Sequence, residues 1–374
     1  MANQEFDSLL KRWVLSVDRM LLFVILSIIS IGIWISIAST PSVALKLGFP
    51  PFHFVKKHVL AVPIAIFLIV FISCFQAKHI RKFSIIGYVL CLLLIIATLF
   101  FGVETKGARR WLAISKLSIQ PSEFLKPTLT VITAWLISEQ YMDRKFPGIL
   151  ISIVSILIPI PLLLLQPDVG MTIIIIGTWF GQLFISGLSI FMIGTFLISS
   201  LAAMAGLYFT FPHFTDRIDK FITNSDTDVD IYQIKKSIEA FKNGGLFGKG
   251  PGEGVVKTLV PDSHSDFVFA VIGEEFGFIM CFAIVFLFVV FITRALVKAM
   301  QSSSIFIFTA VFGILFQIAL QVLINICTSL NLIPTKGMTL PFISYGGSSM
   351  LSTAISIGVL LALTKRNTLT KEIL

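Results

Sequence analysis

The chain has 374 residues, 56% hydrophobic and only 13% charged, with a formal net charge of +9. Its mean hydropathy is +0.94, whereas a water-soluble domain carries about a quarter charged residues. A soluble enzyme or a nucleic-acid-binding protein is excluded, and the class is an all-α polytopic membrane protein.

Crossing the hydrocarbon takes about 20 apolar residues, and the runs that could do so follow one another along the chain. Residues 20–45, 59–77, 83–103 and 146–167 contain no Asp, Glu, Lys or Arg. A helix over roughly residues 122–138 begins with Glu123 and Lys126. Residues 169–215 are too long for one helix and break at Ser186-Gly187. Residues 266–293, 299–335 and 337–364 complete a reading of about ten transmembrane helices. The first run is longer than a signal core, and no small-residue cleavage site follows it. Cys74, Cys91, Cys281 and Cys327 lie within apolar runs and read as small hydrophobes, not disulfides or metal ligands.

An even number of spans puts both termini on one side. Short loops on that side carry Lys11, Arg12, Arg19, Lys78, Arg81, Lys82, Arg144, Lys145, Arg294, Lys298, Lys365, Arg366 and Lys371. Basic short loops mark the cytoplasmic face. Residues 1–374 then form a single membrane domain with a cytoplasmic N-terminus (1–19), a cytoplasmic tail (365–374) and a large extracytoplasmic loop (212–265) between the seventh and eighth helices. The loop's middle reads as an amphipathic helix lying along the membrane surface, with Ile231, Ile234, Ile238 and Phe241 on one side and Lys235, Lys236 and Glu239 nearer the other.

Polar clusters recur at the outer helix ends: KGARRW with QPSEFLK, QPDVG, GKGPGEGVVK running into PDSHSDF, and PTKGMTLPFISYGGSS. Asp168 and Asp266 read as N-caps in the plainest account. Glu274 and Glu275 resist it, because an ionisable group about 12 Å along a helix from Asp266 costs several kcal/mol unless it meets a cavity or a partner. One glutamate can share a cavity with Asp266, and the other is expected to pair with a neighbouring helix. The last cluster, with Ser344-Tyr345 among prolines and glycines, is irregular backbone that membrane depth tolerates only against protein or a water-filled cavity. An outward cavity lined by Arg109, Arg110, Lys126, Lys257, Lys336 and carboxylates suits an anionic, phosphate-bearing ligand.

In order, GARRW, QPSEFLK, QPDVG, GPGEGVVK, PDSHSDFVFAVIGEEFG and PTKGMTLPFISYGGSS resemble the signature segments of the SEDS family (shape, elongation, division and sporulation), from the first helix to the last. GPGEGVVK, PDSHSD and the Pro-Thr-Lys-Gly look more like the division branch than the elongation branch. Ser265 departs from the family's usual threonine but keeps the hydroxyl.

The resemblance implies a peptidoglycan glycosyltransferase of the bacterial plasma membrane that polymerises lipid II, the undecaprenyl-pyrophosphate-linked disaccharide-pentapeptide, at the division septum. It implies Asp266 as the essential catalytic carboxylate. Arg109, Arg110, Glu123, Lys126, Lys257, His264, Lys336 and Ser344 are then expected on the substrate, with Asp168, Glu274 and Glu275 in support. The implied partners are a class B penicillin-binding protein that crosslinks the strands and other divisome membrane proteins. A carboxylate can act as general base on the attacking sugar hydroxyl, and cations can neutralise a pyrophosphate leaving group in place of an acid. A divalent cation, Mg or Mn, could bridge pyrophosphate and carboxylates, although the chain shows no dedicated metal cage. Intramembrane acids and broken helices also mark transporters, so a lipid II flippase is the main alternative. A non-catalytic scaffold recruiting the transpeptidase is the third.

Overall fold

The computed structural model describes residues 13, 15–105, 108–114, 117–187, 190–210, 215, 229–260, 262–333 and 337–365. Three long helices open it: α1 (Arg19–Lys46), α2 (His53–Ser73) and α3 (Ala77–Phe101). Asp18 caps α1 by accepting the Leu21 N–H at 3.1 Å. A small antiparallel meander follows: β1 (Val103–Thr105), β2 (Ala108–Ile114) and β3 (Leu117–Ile119), with Glu104 opposite Arg109 and Leu112 opposite Ile119. No strand was expected in this polar stretch.

Helix α4 (Pro121–Met142) starts on a proline, which suits a first turn because its missing N–H would have no partner there. The run at residues 146–167 splits into α5 (Gly148–Leu157) and α6 (Pro159–Leu165), as proline at the join removes a donor. Beyond them come α7 (Val169–Ile185), α8 (Ile190–Thr210), α9 (Val229–Gly244), α10 (Val268–Met300), α11 (Ile305–Ser329) and α12 (Gly347–Thr364). Seven helices among the described residues are long and apolar enough to cross a membrane, and Val169–Ile185 is a shorter apolar one. The protein is an integral membrane protein.

Helix α4 is the axle of the bundle. It packs against α3, α5, α7, α11 and α12. Leu125 and Leu129 join one core with Cys91, Ile95, Ile156 and Met171. Val131 and Ala134 join the larger one, built from α1, α2, α10, α11 and α12. A helix surrounded in this way can carry Glu123 and Lys126 only if they face each other, which they do.

Helix α10 is not the continuous rod that the sequence suggests. It breaks at Gly277, whose φ of 77° and ψ of −177° only glycine adopts readily. A Cβ there would lie 2.4 Å from the Gly248 nitrogen and the Leu246 carbonyl oxygen. The glycine-rich loop after α9 enters the break and satisfies the backbone groups it exposes. Phe278 and Ile279 donate to the carbonyls of Gly245 and Leu246 at 3.0 and 3.2 Å, while Lys249 and Gly250 donate to those of Glu274 and Glu275 at 3.0 and 2.9 Å. An apolar environment requires such internal pairing.

Helix α9 is present as read, and it docks on α10. Ile238 packs with Val260 and Phe267, and the buried Ser237 hydroxyl donates to the Ser329 carbonyl at 2.6 Å. All four cysteines are free; Cys91 and Cys281 are buried as expected, whereas Cys74 is exposed at the end of α2.

Candidate functional site

Three groups of polar side chains gather where the irregular segments meet the helix ends. The first surrounds the start of α4. Lys126 and Glu123 pair at 2.7 Å, one turn apart and both buried. Asp168 caps α7, accepting the Met171 N–H at 3.3 Å, and takes a longer contact at 3.4 Å from the Gln120 amide. Arg110 reaches across from β2, donating to the carbonyls of Gln166, at 2.9 Å, and Pro167, with Asp168 at 3.6 Å. Burial pushes the Asp168 carboxyl above the usual carboxylate range, opposed by Arg110, the Met171 amide and Lys126. The helix-cap reading of Asp168 is realised. The guanidinium of Arg110 is a clasp on the residue 166–168 turn.

The second group holds Asp266. Helix α10 begins at Val268 with Phe267 as its cap residue and no side-chain cap bond, so Asp266 is not the N-cap of that helix. Its carboxylate is half-buried and looks across to Gly337, where a Cβ would stand 3.5 Å from Oδ2. Gly337 has a φ of +63°, a conformation that favours glycine. The backbone around Asp266 is fixed by the opposing loop. The carbonyls of His264, Ser265 and Asp266 accept from the Tyr345 N–H at 2.9 Å, the Ser344 hydroxyl at 2.6 Å and the Asn325 amide at 3.0 Å. Ser344 also accepts the Leu340 N–H at 2.8 Å, so its hydroxyl is engaged within the fold. The His264 ring stacks on Phe54 at 5.2 Å and lies 5.5 Å from Tyr345.

The third group is internal. Glu274 accepts from the Asn243 amide at 2.8 Å and from the backbone N–H groups of Val256 and Lys257 at 2.8 and 2.7 Å. Glu275 pairs with Lys257, which also donates to the Ala38 carbonyl at 3.1 Å. Glu274 therefore ties the end of α9 to the residue 256–257 backbone, the neighbouring-helix contact expected of one glutamate, while Glu275 holds Lys257. Lys257 is buried in that pairing. Arg109 is exposed on β2 and meets Glu104 at 3.3 Å. Lys336 lies outside the described residues.

The start of α12 joins the first two groups. Its Ser348 hydroxyl accepts the Gln120 N–H at 3.0 Å, its Ser352 hydroxyl donates to the Glu123 carbonyl at 2.6 Å, and Ser349 bonds Thr339 at 2.6 Å. Sequence reasoning missed these serines, Gln120 and Asn325. Asn325 carried a signal: Gln317, Gln321 and Asn325 recur every four residues in an apolar run, placing three amides on one helix face. Among the described residues no three His, Cys, Asp or Glu side chains converge to hold a metal ion.

The cell cycle protein family of FtsW, RodA and SpoVE matches residues 18–369. The chain belongs to that family. It is 38% identical over 95% of its length to a protein of Caulobacter vibrioides (strain NA1000 / CB15N) named probable peptidoglycan glycosyltransferase FtsW, of which it covers 90%. A protein of the same name from Coxiella burnetii (strain RSA 493 / Nine Mile phase I) is 32% identical, with 92% of this chain and 95% of that one covered. The fold is shared with a chain solved in a peptidoglycan synthase complex that coordinates polymerization and crosslinking, at a TM-score of 0.77 and 23% identity over 94% of this chain and 98% of that one. It is shared as well with the rod shape determining protein RodA of Thermus thermophilus, at 0.68 and 23% over 94% and 97%.

Proposed function

We propose that this protein is a peptidoglycan glycosyltransferase that polymerises lipid II at the outer face of the bacterial plasma membrane, for septal wall synthesis. The names of its relatives support the reaction, and one observation carries the mechanism. A half-buried Asp266 presents its carboxylate to the loop across from it. As general base, Asp266 takes the proton of the acceptor sugar's 4-hydroxyl. The 4-oxygen bonds to the anomeric carbon of the growing strand, the bond from that carbon to phosphate breaks, and pyrophosphate carries away the electron pair. Attack from the opposite face inverts the centre. General-base assistance of this kind is worth roughly 10² to 10⁴ in rate. No step is routed through a metal ion.

About ten spans with both termini cytoplasmic complete the reading, since short basic loops then face inward. A crosslinking transpeptidase of the class B penicillin-binding type is the partner proposed, in keeping with the synthase complex that shares the fold. The test is glycan-strand synthesis from labelled lipid II by the purified protein, with and without that partner. Wild-type strands and none from Asp266→Asn are expected, because an amide matches the carboxylate in shape but cannot take the proton. Full-rate synthesis by Asp266→Asn excludes the general base. Transbilayer movement of lipid II without synthesis points to the transporter.

A further inference from the structure

The turn bearing Asp266 and the loop facing it are both irregular backbone, with no ladder to hold their separation. A side chain from outside the two segments bonds to both. The Asn325 amide nitrogen donates to the Asp266 carbonyl at 3.0 Å and to the Met338 carbonyl at 2.6 Å. Asn325 belongs to neither segment; it projects from α11 and is 1% exposed. An amide nitrogen has two hydrogens and can satisfy both carbonyls at once, whereas a hydroxyl has one.

We propose that Asn325 is a positioning residue for Asp266, setting the distance between its carboxylate and the opposite wall of the site. This rests on the general-base reading of Asp266. The Asp266 carbonyl carbon is bonded to the Cα from which the side chain springs, so anchoring it sets where the Cα–Cβ bond starts toward the site. Met338 adjoins Gly337, the residue that faces Oδ2. The two anchor points of one amide thus lie on the base and on the surface across from it. Tyr345 and Ser344 hold the neighbouring carbonyls from the loop itself and move with it, while Asn325 ties both segments to a packed helix. A general base works only within about 2.6–3.2 Å of its proton, and a displacement of about 1 Å can cost roughly 10²-fold.

The test uses the full-length protein with its partner, compared with wild type and Asp266→Asn for strand synthesis and for melting in detergent. Asn325→Leu keeps the branched outline at a somewhat larger volume and removes both donors. It is expected to fold and to lower kcat by about 10²-fold with KM for lipid II within about twofold, since Asn325 touches no substrate. Asn325→Asp keeps the shape; ionised it offers the two carbonyls only acceptors, and protonated it offers one O–H. Its activity relative to wild type is expected to rise at least about tenfold from near pH 8 to near pH 5, at pH values where melting shows the variant fully folded at the assay temperature, a dependence that a purely structural role then does not produce. Wild-type kcat in folded Asn325→Leu, or a pH-independent ratio for Asn325→Asp, overturns the proposal. Should Asn325→Leu fail to fold, the Asn325→Asp ratio decides alone. An inactive Asp266→Asn beside a fully active Asn325→Leu removes the positioning role and leaves the base intact; an active Asp266→Asn removes both.

Discussion

Arg110 faces Asp168 at 3.6 Å, and its guanidinium donates at the same time to the carbonyls of Gln166 and Pro167. Strand β2 is thereby fastened to the turn that starts α7. Arg110→Ala is expected to lower stability by about 1–3 kcal/mol, the range for hydrogen bonds made by charged groups. Arg110→Lys recovers only part of it, since one ammonium cannot reproduce a planar fork. Melting in detergent beside strand synthesis separates the roles: wild-type melting with lost synthesis would return Arg110 to the substrate.

Glu274 has a different function in the same fold. Its carboxylate accepts an amide N–H from Asn243 at the end of α9 and two backbone N–H groups from the loop, and sits at 0% exposure. Glu274→Gln turns one acceptor oxygen into a donor that faces another donor, which costs about 1–3 kcal/mol when buried. Hydrogen exchange over residues 252–258 is expected to quicken while residues in α11 stay protected. Exchange identical to wild type would mean that the loop is held by something else.

What the sequence disclosed divides along physical lines. Apolar runs located the helices because burial in lipid depends on composition. Proline and glycine marked the irregular segments because their backbone limits are local. The pairing of polar groups was not local. Nothing in PDSHSDF indicates that Tyr345, Ser344 and Asn325 hold its carbonyls, and backbone bonding leaves no side-chain signature at the accepting residue. Lys257 was read as a ligand cation because charge at an outer helix end suggests a substrate, whereas tertiary folding turned it inward onto Glu275. The break at Gly277 was hidden for a related reason: glycine in an apolar run fits a straight helix until a loop arrives to occupy the gap.

At the opposite end of the bundle, Asp18 takes Arg294 at 2.8 Å and Lys298 at 3.5 Å while capping α1. Burial raises its carboxyl, but the Arg294 hydrogen bond, the Leu21 amide and the two cations together hold it below its ordinary 3.8. A carboxyl lowered on folding contributes stability that is complete above the unfolded value and is lost as pH falls through the folded one. Asp18→Asn keeps a capping oxygen and loses the ion pairs, so it is expected to melt earlier than wild type near neutrality. The difference should close below about pH 4. A gap that persists in acid would assign the loss to packing.

Cys74 offers a native reporter of orientation. It is exposed at the end of α2, where the Lys365 ammonium donates to the carbonyls of Cys74 and Phe75 at 3.1 and 2.9 Å. With the other three cysteines replaced by alanine, a membrane-impermeant maleimide is expected to label inverted vesicles and spare intact cells. The reverse pattern would place Asp266 in the cytoplasm, away from any periplasmic substrate.

The Glu123–Lys126 pair allows stability and activity to be separated, because both side chains are buried at the first turns of α4. Removing one partner of a buried pair leaves an uncompensated charge and costs about 3–5 kcal/mol, whereas replacing both by apolar groups of similar volume is often close to neutral. Lys126→Met and Glu123→Leu are each expected to melt well below wild type, and the double variant to recover most of the loss. If the pair serves only the fold, synthesis returns with the melting temperature. If Lys126 holds pyrophosphate charge, the double variant is folded and still inactive, as electrostatic stabilisation of a leaving group has no apolar substitute. Inactivity is the expected outcome, given that the pair lies beside Ser348 and Ser352, at the end of α12 nearest the loop across from Asp266. Strand synthesis by the double variant within about threefold of wild type would confine Glu123 and Lys126 to a structural role.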